Sequence, residues 1–363
     1  MTIRVLVVDD SAFMRRVIGE AVAAEPDMEL AGTAVNGLDA LVKLEQLDPD
    51  VVTLDVEMPE MDGLTALRHL MARYPRPVVM LSSLTQAGAV TTIRALTIGA
   101  VDFVAKPSGS ISLDFQRVRH ELVHKVRLAA RARVSAAATP VLERPPTAPD
   151  TVAPVQARRA AGDFERLVVI GASTGGPRAL GAVVPVLPSD GRTAYVIVQH
   201  MPAGFTRSLA ERLDSCSPIS VREAQPGGQL AAGTAVVAPG DYHLRLTPRG
   251  GLALDQEPKV HGVRPSVDVT LYSAAQHFGT STVAVILTGM GSDGAAGALS
   301  VRQAGGTVLA EDESSCVVWG MPRAVVERGG ADRVVPLDRM ATAISEALLT
   351  RVPVARAATS TRC

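Results

Sequence analysis

The first part of the chain alternates between short apolar runs and longer stretches whose apolar residues recur every three or four positions. Ile3 to Val8 is the first run, and Met14, Val17, Ile18, Ala21 and Val22 then repeat at helical spacing. Met28 to Val35 predicts a second strand, and Leu38, Leu41, Val42 and Glu45 lie on a second helix. Val51 to Leu54 is a third strand ending at Asp55, and Gly63 to Tyr74 is a helix stopped by Pro75 and Pro77. Val78 to Leu81 is a fourth strand, closed by Ser82-Ser83, and Ala87 to Ile98 is a helix with Gly99 placed to end it. Val101 to Ala105 is a short fifth strand before Lys106-Pro107, and Ile111 to about Arg131 is the last helix. Five strand–helix units in alternation predict an α/β fold, a doubly wound five-stranded parallel sheet over residues 1–128.

The periodicity then stops. Residues 129–164 carry Thr139-Pro140, Pro145-Pro146, Pro149 and Pro154 among alanines and arginines, with no apolar face, so they read as a flexible tether. Strand and helix patterns resume at Leu167 to Ile170 and continue over residues 165–352, before a tail at 353–363 expected to fray. Strands are expected at Ala194–Val198, Thr282–Leu287 and Thr307–Ala310, and helices at Phe205–Leu213, Val267–Phe278, Ala295–Gln303 and Asp338–Leu349. Thr247 to Gly251 separates two short alternating segments and reads as a hairpin turn. The second domain is therefore expected to be another doubly wound, mostly parallel α/β sheet with a β-hairpin.

Composition narrows the function. Of 363 residues, 36 are Lys or Arg and 37 are Asp or Glu, a net charge of −1 that gives no electrostatic basis for binding nucleic acid. Cys216, Cys316 and Cys363 lie far apart, which fits incidental thiols in a reducing cytoplasm better than a disulfide framework or a zinc site. The run Val5–Val8 is stopped by Asp9 and Asp10 and is too short for a signal peptide, and no apolar stretch approaches a membrane span. A cytoplasmic monomer without membrane insertion is expected.

The chemistry of the first domain gathers at strand ends: Asp9 and Asp10, Asp55, Ser82 and Lys106. Carboxylates brought together call for a cation, and an all-oxygen set suits Mg²⁺. Asp55 can then be a nucleophile that forms an acyl phosphate, with Lys106 pairing the phosphoryl oxygens. Val7-Val8-Asp9-Asp10-Ser11, Asp55 to Gly63 and Lys106-Pro107 resemble the response-regulator receiver family. The resemblance implies Mg²⁺-dependent phosphotransfer from a histidine kinase to Asp55, with Ser82 as the switch hydroxyl and Phe103 as the switch aromatic.

In the second domain Gly171-Ala172-Ser173-Thr174-Gly175 joins an apolar strand to a helix and satisfies G-x-S-x-G, the strained elbow of a nucleophilic serine. His200 follows the next strand, and Asp293 follows Thr282–Leu287. A serine hydrolase needs this set: a hydroxyl, an imidazole to take its proton and a carboxylate to fix the imidazole tautomer. The order Ser, His, Asp departs from that of α/β-hydrolases. His243 is a reserve base, the other histidines read as incidental, and Trp319 reads as core or cleft wall. The glycines around Met290 can expose a backbone N–H as an oxyanion donor. A nucleotide-binding module or adaptor is the alternative, yet the loop lacks a G-x-G start and an acid at the next strand end. Gly171 to Pro177, Gln199-His200-Met201 and Thr288 to Gly294 resemble the CheB-type methylesterase family. That resemblance implies hydrolysis of glutamyl γ-methyl esters on chemoreceptors, deamidation of receptor glutamines, and activation by phosphorylation. It implies Ser173 as nucleophile, His200 as base, Asp293 as its orienter, Met290 as oxyanion donor and Thr174 as a second polar group, with no cofactor for the esterase.

Overall fold

The computed structural model describes residues 2–83, 85–106, 114–134 and 164–349, which form two units. Most of the expected tether, residues 135–163, and the expected tail lie outside the described residues. The first unit runs β1 (Ile3–Val8), α1 (Ala12–Ala23), β2 (Met28–Ala34), α2 (Gly37–Leu47), β3 (Val51–Asp55), α3 (Gly63–Arg73), β4 (Val78–Ser82), α4 (Gln86–Ile98), β5 (Asp102–Ala105) and α5 (Asp114–Ala129). Its strands are parallel in the order β2-β1-β3-β4-β5. The strand order reverses between β1 and β3, where such sheets open a crevice at the carboxyl ends. Asp9, one residue past β1, and Asp55, at the end of β3, flank that crevice. Local sequence starts the helices: Ser11, Asn36, Asp62 and Thr85 each accept a backbone N–H at the head of α1 to α4.

The second unit contains β6 (Arg166–Ala172), α6 (Gly176–Val183), β7 (Thr193–Gln199), α7 (Phe205–Asp214), β8 (Ser220–Glu223), β9 (Thr234–Val237), β10 (His243–Leu246) and β11 (Leu252–Asp255). It continues with α8 (Val267–Phe278), β12 (Thr282–Ile286), α9 (Ala295–Gln303), β13 (Thr307–Glu311), α10 (Met321–Glu327), β14 (Arg333–Val335) and α11 (Leu337–Leu349). Seven parallel strands follow the order β14-β13-β12-β6-β7-β9-β8, and β10 and β11 form the expected antiparallel hairpin. Apart from Arg166 at the head of β6, the central strands are fully buried, which explains why they read as unbroken apolar runs. Val267, Leu271 and Ala274 of α8 pack with Leu167, Val169 and Val196 in one core. β8, β14 and α10 have no counterpart in the sequence reading. β8 and β14 are edge strands of four and three residues with half their positions or more in solvent, so neither carries a buried run.

Among the described residues no helix is long and apolar enough to cross a membrane.

Candidate functional site

Strand order β12-β6-β7 brings the three expected catalytic residues to one edge of the second sheet. The β6–β7 register pairs Ala172 with Gln199, so Ser173 and His200 are the next residues on adjacent strands. The His200 N–H bonds Ala172 O at 3.1 Å, and the Gln199 amide donates to Ser173 O at 2.9 Å. On the other side of β6, the Ser173 N–H donates to Thr288 O at 3.0 Å, which ties the serine to the loop after β12. Gly289 in that loop lies so close to the serine that a Cβ there would fall 2.7 Å from Ser173 Cβ and 2.4 Å from Met321 Sδ. Only glycine fits without a shift of one of them.

His200 Nε2 lies 2.7 Å from Asp293 Oδ2, and both side chains are buried. Asp293 also accepts Ser266 Oγ at 2.7 Å and Asp268 N at 3.1 Å on Oδ1, and Val267 N at 2.7 Å on Oδ2. These donors form the N terminus of α8, where unpaired N–H groups and the helix dipole favour an anion. Val267 reaches this position because β6 carries Gly171 beneath it, where a Cβ would lie 2.5 Å from Val267 Cγ1. Burial alone pushes the Asp293 carboxyl upward, but the His200, Ser266 and Val267 hydrogen bonds outweigh it and hold the group below the ordinary carboxylate range. An ionised carboxylate accepts only, so the imidazole nitrogen facing it carries the proton and Nδ1 is left with the lone pair. The chymotrypsin-type arrangement uses the two nitrogens the other way round.

Two expectations need correction. Ser173 is not at a strained elbow: the left-handed non-glycine residues among those described are Asp48, Glu60, Asp241 and His261, and Gly175 (φ 78°) takes the turn instead. His243 is not at the site. It is fully buried on β10 and its Nε2 lies 3.1 Å from Pro258 O.

Met290 is 39% exposed, and among the described residues its N–H has no acceptor. Trp319 is half-buried, and its backbone forms a parallel bridge with Gly289 in the loop after β12. Thr174 follows Ser173 directly and is buried. Glu311, which sequence reasoning passed over, ends β13 with no exposure and accepts Thr288 N at 2.8 Å and Ser315 Oγ at 3.0 Å. A carboxylate at the end of a buried strand was the signal available for it. His261, read as incidental, lies 3.0 Å through Nε2 from the buried Asp268.

In the first unit, one carboxylate oxygen each of Asp9, Asp10 and Asp55 lies within 4.8 Å of the others. Asp9 and Asp55 are buried and Asp10 is exposed. Lys106 Nζ bridges Asp9 Oδ2 at 2.9 Å and Asp55 Oδ2 at 2.7 Å. Burial pushes the Asp55 carboxyl above its ordinary range, with the charge of Asp9 adding to it and Lys106 opposing. The Lys106 ammonium is pulled down by burial and raised by both carboxylates, and the rise wins. Three oxygen donors so close together, with one cation among them, fit a small hard ion such as Mg²⁺. Ser82 is fully buried and accepts Thr92 Oγ1 of α4 at 2.6 Å. Phe103 is buried in β5, with Lys125 Nζ 5.0 Å from its ring centre.

Two family profiles match this chain: CheB methylesterase over residues 168–344 and the response regulator receiver domain over residues 5–114. A protein-glutamate methylesterase/protein-glutamine glutaminase of Symbiobacterium thermophilum is 54% identical over 354 residues, spanning 95% of this chain and 97% of the relative. Proteins of the same description from Pyrococcus horikoshii and Thermotoga maritima are 46% and 48% identical. They span 95% and 92% of this chain and 94% and 95% of their own lengths.

Proposed function

This chain belongs to the CheB methylesterase family, with a receiver domain before the catalytic one, and we propose that Ser173, His200 and Asp293 are its catalytic triad. The protein is a protein-glutamate methylesterase and protein-glutamine glutaminase under phosphorylation control. Its substrates are methylated chemoreceptors, and its phosphodonor is a histidine kinase. The observation that carries the triad is the 2.7 Å bond between His200, one residue past β7 and beside Ser173, and Asp293 in the loop between β12 and α9.

Ser173 Oγ attacks the γ-carbonyl carbon of the glutamyl ester while His200 Nδ1 takes the hydroxyl proton. Asp293 stabilises the imidazolium that results. The Met290 N–H, which has no acceptor among the described residues, receives the developing oxyanion. When the tetrahedral adduct collapses, the C–O bond to the methoxy group breaks, and the His200 proton leaves with it as methanol. Water, deprotonated by His200, then cleaves the acyl-serine and releases the glutamyl carboxylate. For a glutamine side chain the same sequence expels ammonia. Thr174, next to the nucleophile, offers a second polar group to the substrate.

On the receiver, Asp55 accepts the phosphoryl group and Lys106 binds its oxygens. Asp9, Asp10 and Asp55 would hold Mg²⁺, which when bound neutralises charge on the incoming phosphoryl group. Ser82 and Phe103 relay the change, Ser82 by leaving Thr92 for the phosphoryl oxygens. We assign the receiver to residues 1–128 and the esterase to 165–352.

The test is methanol release from methylated receptor membranes, with labelling by a covalent serine probe. Wild type should release methanol and be labelled at Ser173; Ser173→Ala should do neither. Turnover by Ser173→Ala at the wild-type rate would reject the mechanism.

A further inference from the structure

Behind the catalytic carboxylate lies a second carboxylate–imidazole pair. One oxygen each of Asp293 and Asp268 and one nitrogen of His261 all lie within 4.8 Å of one another. Both aspartates are buried, whereas the His261 side chain is 40% exposed and opens the cluster to solvent. The four hydrogen bonds that Asp293 accepts leave it no proton to share with Asp268. Asp268 is connected differently. Its backbone N–H donates to Asp293 Oδ1 at 3.1 Å, while its own side chain accepts Gly297 N at 2.6 Å on Oδ1 and His261 Nε2 at 3.0 Å on Oδ2.

We propose that Asp268 and His261 are positioning residues of the esterase, which pin the first turn of α8 on Asp293 and set the net charge that His200 meets through it. The proposal rests on the triad reading above. Two like charges so close repel unless one is neutralised or compensated. Burial and the charge of Asp293 act in that direction on Asp268, whose carboxyl lies above its ordinary range despite the Gly297 and His261 hydrogen bonds. An ionised Asp268 adds negative charge beside the triad, which favours the imidazolium that forms on His200 during turnover. A protonated His261 cancels that charge.

Few other charged groups face this cluster. Tyr272, one turn along α8, is raised by burial and by Asp268 and Asp293, with Arg328 opposing. α9 meets Asp268 through a backbone N–H, and its Arg302 is bonded to Asp332. On β10, which packs on α8, His243 meets Pro258 O and Arg245 meets Asp255. From β7 the facing group is His200 itself.

The experiment uses the full chain and follows the His200 imidazole by NMR titration alongside the pH profile of kcat/KM for methanol release. The variants are Asp268→Asn and His261→Asn. Asn at 268 still accepts the Gly297 N–H, and Asn at 261 tolerates that residue's left-handed backbone (φ 52°). Asp268→Asn should lower the His200 midpoint and His261→Asn should raise it, as expected for removal of opposite charges nearby. Opposite shifts cannot come from a merely structural role, which would lower thermal stability in both and leave the titration where it was. Midpoints that stay put, or move the same way, overturn the proposal. Ser173→Ala and His200→Gln run beside them keep the two claims apart. Turnover by either at the wild-type rate would reject the triad itself; strongly impaired controls with unmoved midpoints would reject only the pair.

Discussion

Asp293→Asn separates two ways of losing a triad carboxylate. Asparagine offers one acceptor oxygen and an NH₂ group where Asp293 offers two oxygens and accepts four donors. The amide has two orientations. With its oxygen at the Oδ1 position, the NH₂ faces Val267 N–H and His200 Nε2, and His200 must change tautomer to avoid a donor–donor clash. With its oxygen at the Oδ2 position, His200 and Val267 keep their acceptor. The NH₂ then faces Ser266 Oγ, which can rotate to accept, and only the Asp268 N–H, the longest bond at 3.1 Å, is stranded. The second orientation should win, so the base nitrogen stays available and the loss is mainly that of the charge opposite the imidazolium. Breaking a buried ion pair outright costs about 3–5 kcal/mol; with the hydrogen bond kept, about 3–4 kcal/mol is expected, or roughly 10²–10³ in kcat. Loss of the tautomer would instead cost about 10⁴. One stranded buried donor and a lost anion at a helix N terminus should also remove about 2–3 kcal/mol of stability. Because Asp293 is held below its ordinary range, its contribution to stability is present above the unfolded value and fades as pH falls through the folded one. The variant should therefore lose less stability than wild type on acidification. Methanol release gives the rate, ¹⁵N NMR of His200 gives the tautomer, and thermal melts from neutral to acidic pH give the stability. A kcat loss of about 10⁴ with Nδ1 protonated would refute the amide orientation argued here. A loss under about tenfold would refute the role of Asp293 altogether, since a triad carboxylate is worth far more.

Asp55→Asn should abolish phosphorylation by a small acyl phosphate with Mg²⁺, yet melt higher than wild type in metal-free buffer by about 0.5–2 kcal/mol, because it relieves a carboxylate cluster raised by burial. A lower melting temperature would contradict that electrostatic reading. Glu311→Ala should cut kcat by about 10–100-fold with little change in KM, since Thr288 N–H loses its acceptor and the Gly289–Met290 loop its anchor, while Glu311→Gln should keep most activity. Equal losses in both would mean that the charge, not the acceptor, matters. Phosphorylation control implies a resting receiver that restrains the esterase, so a fragment beginning at Asp163 should hydrolyse methylated receptor faster than the unphosphorylated full chain, and phosphorylation should close much of the gap. A fragment no faster would eliminate restraint by the receiver.

Much of this protein was legible in its sequence because the informative signals are local. α8 and α9 run over Val267–Phe278 and Ala295–Gln303, the spans expected from apolar periodicity, and the buried strands β6, β7 and β12 read as apolar runs because both faces are covered. Their polar terminators, Ser173, His200 and the Thr288–Gly294 loop with Asp293, mark a common sheet edge in the sequence itself. What the sequence could not carry was adjacency. The order β12-β6-β7 makes neighbours of residues 93 positions apart, His200 and Asp293, and only chain packing selects that order. The same packing brings the head of α8 onto Asp293 and sets His261 beside Asp268, a pairing with no spacing signature because it spans a loop and a helix start. It also decides which imidazole nitrogen meets the carboxylate, that Gly175 rather than Ser173 takes the left-handed turn, and that the Ser82 hydroxyl meets Thr92. Propensity and periodicity act within one element, whereas hydrogen-bond partners of buried polar groups are chosen between elements.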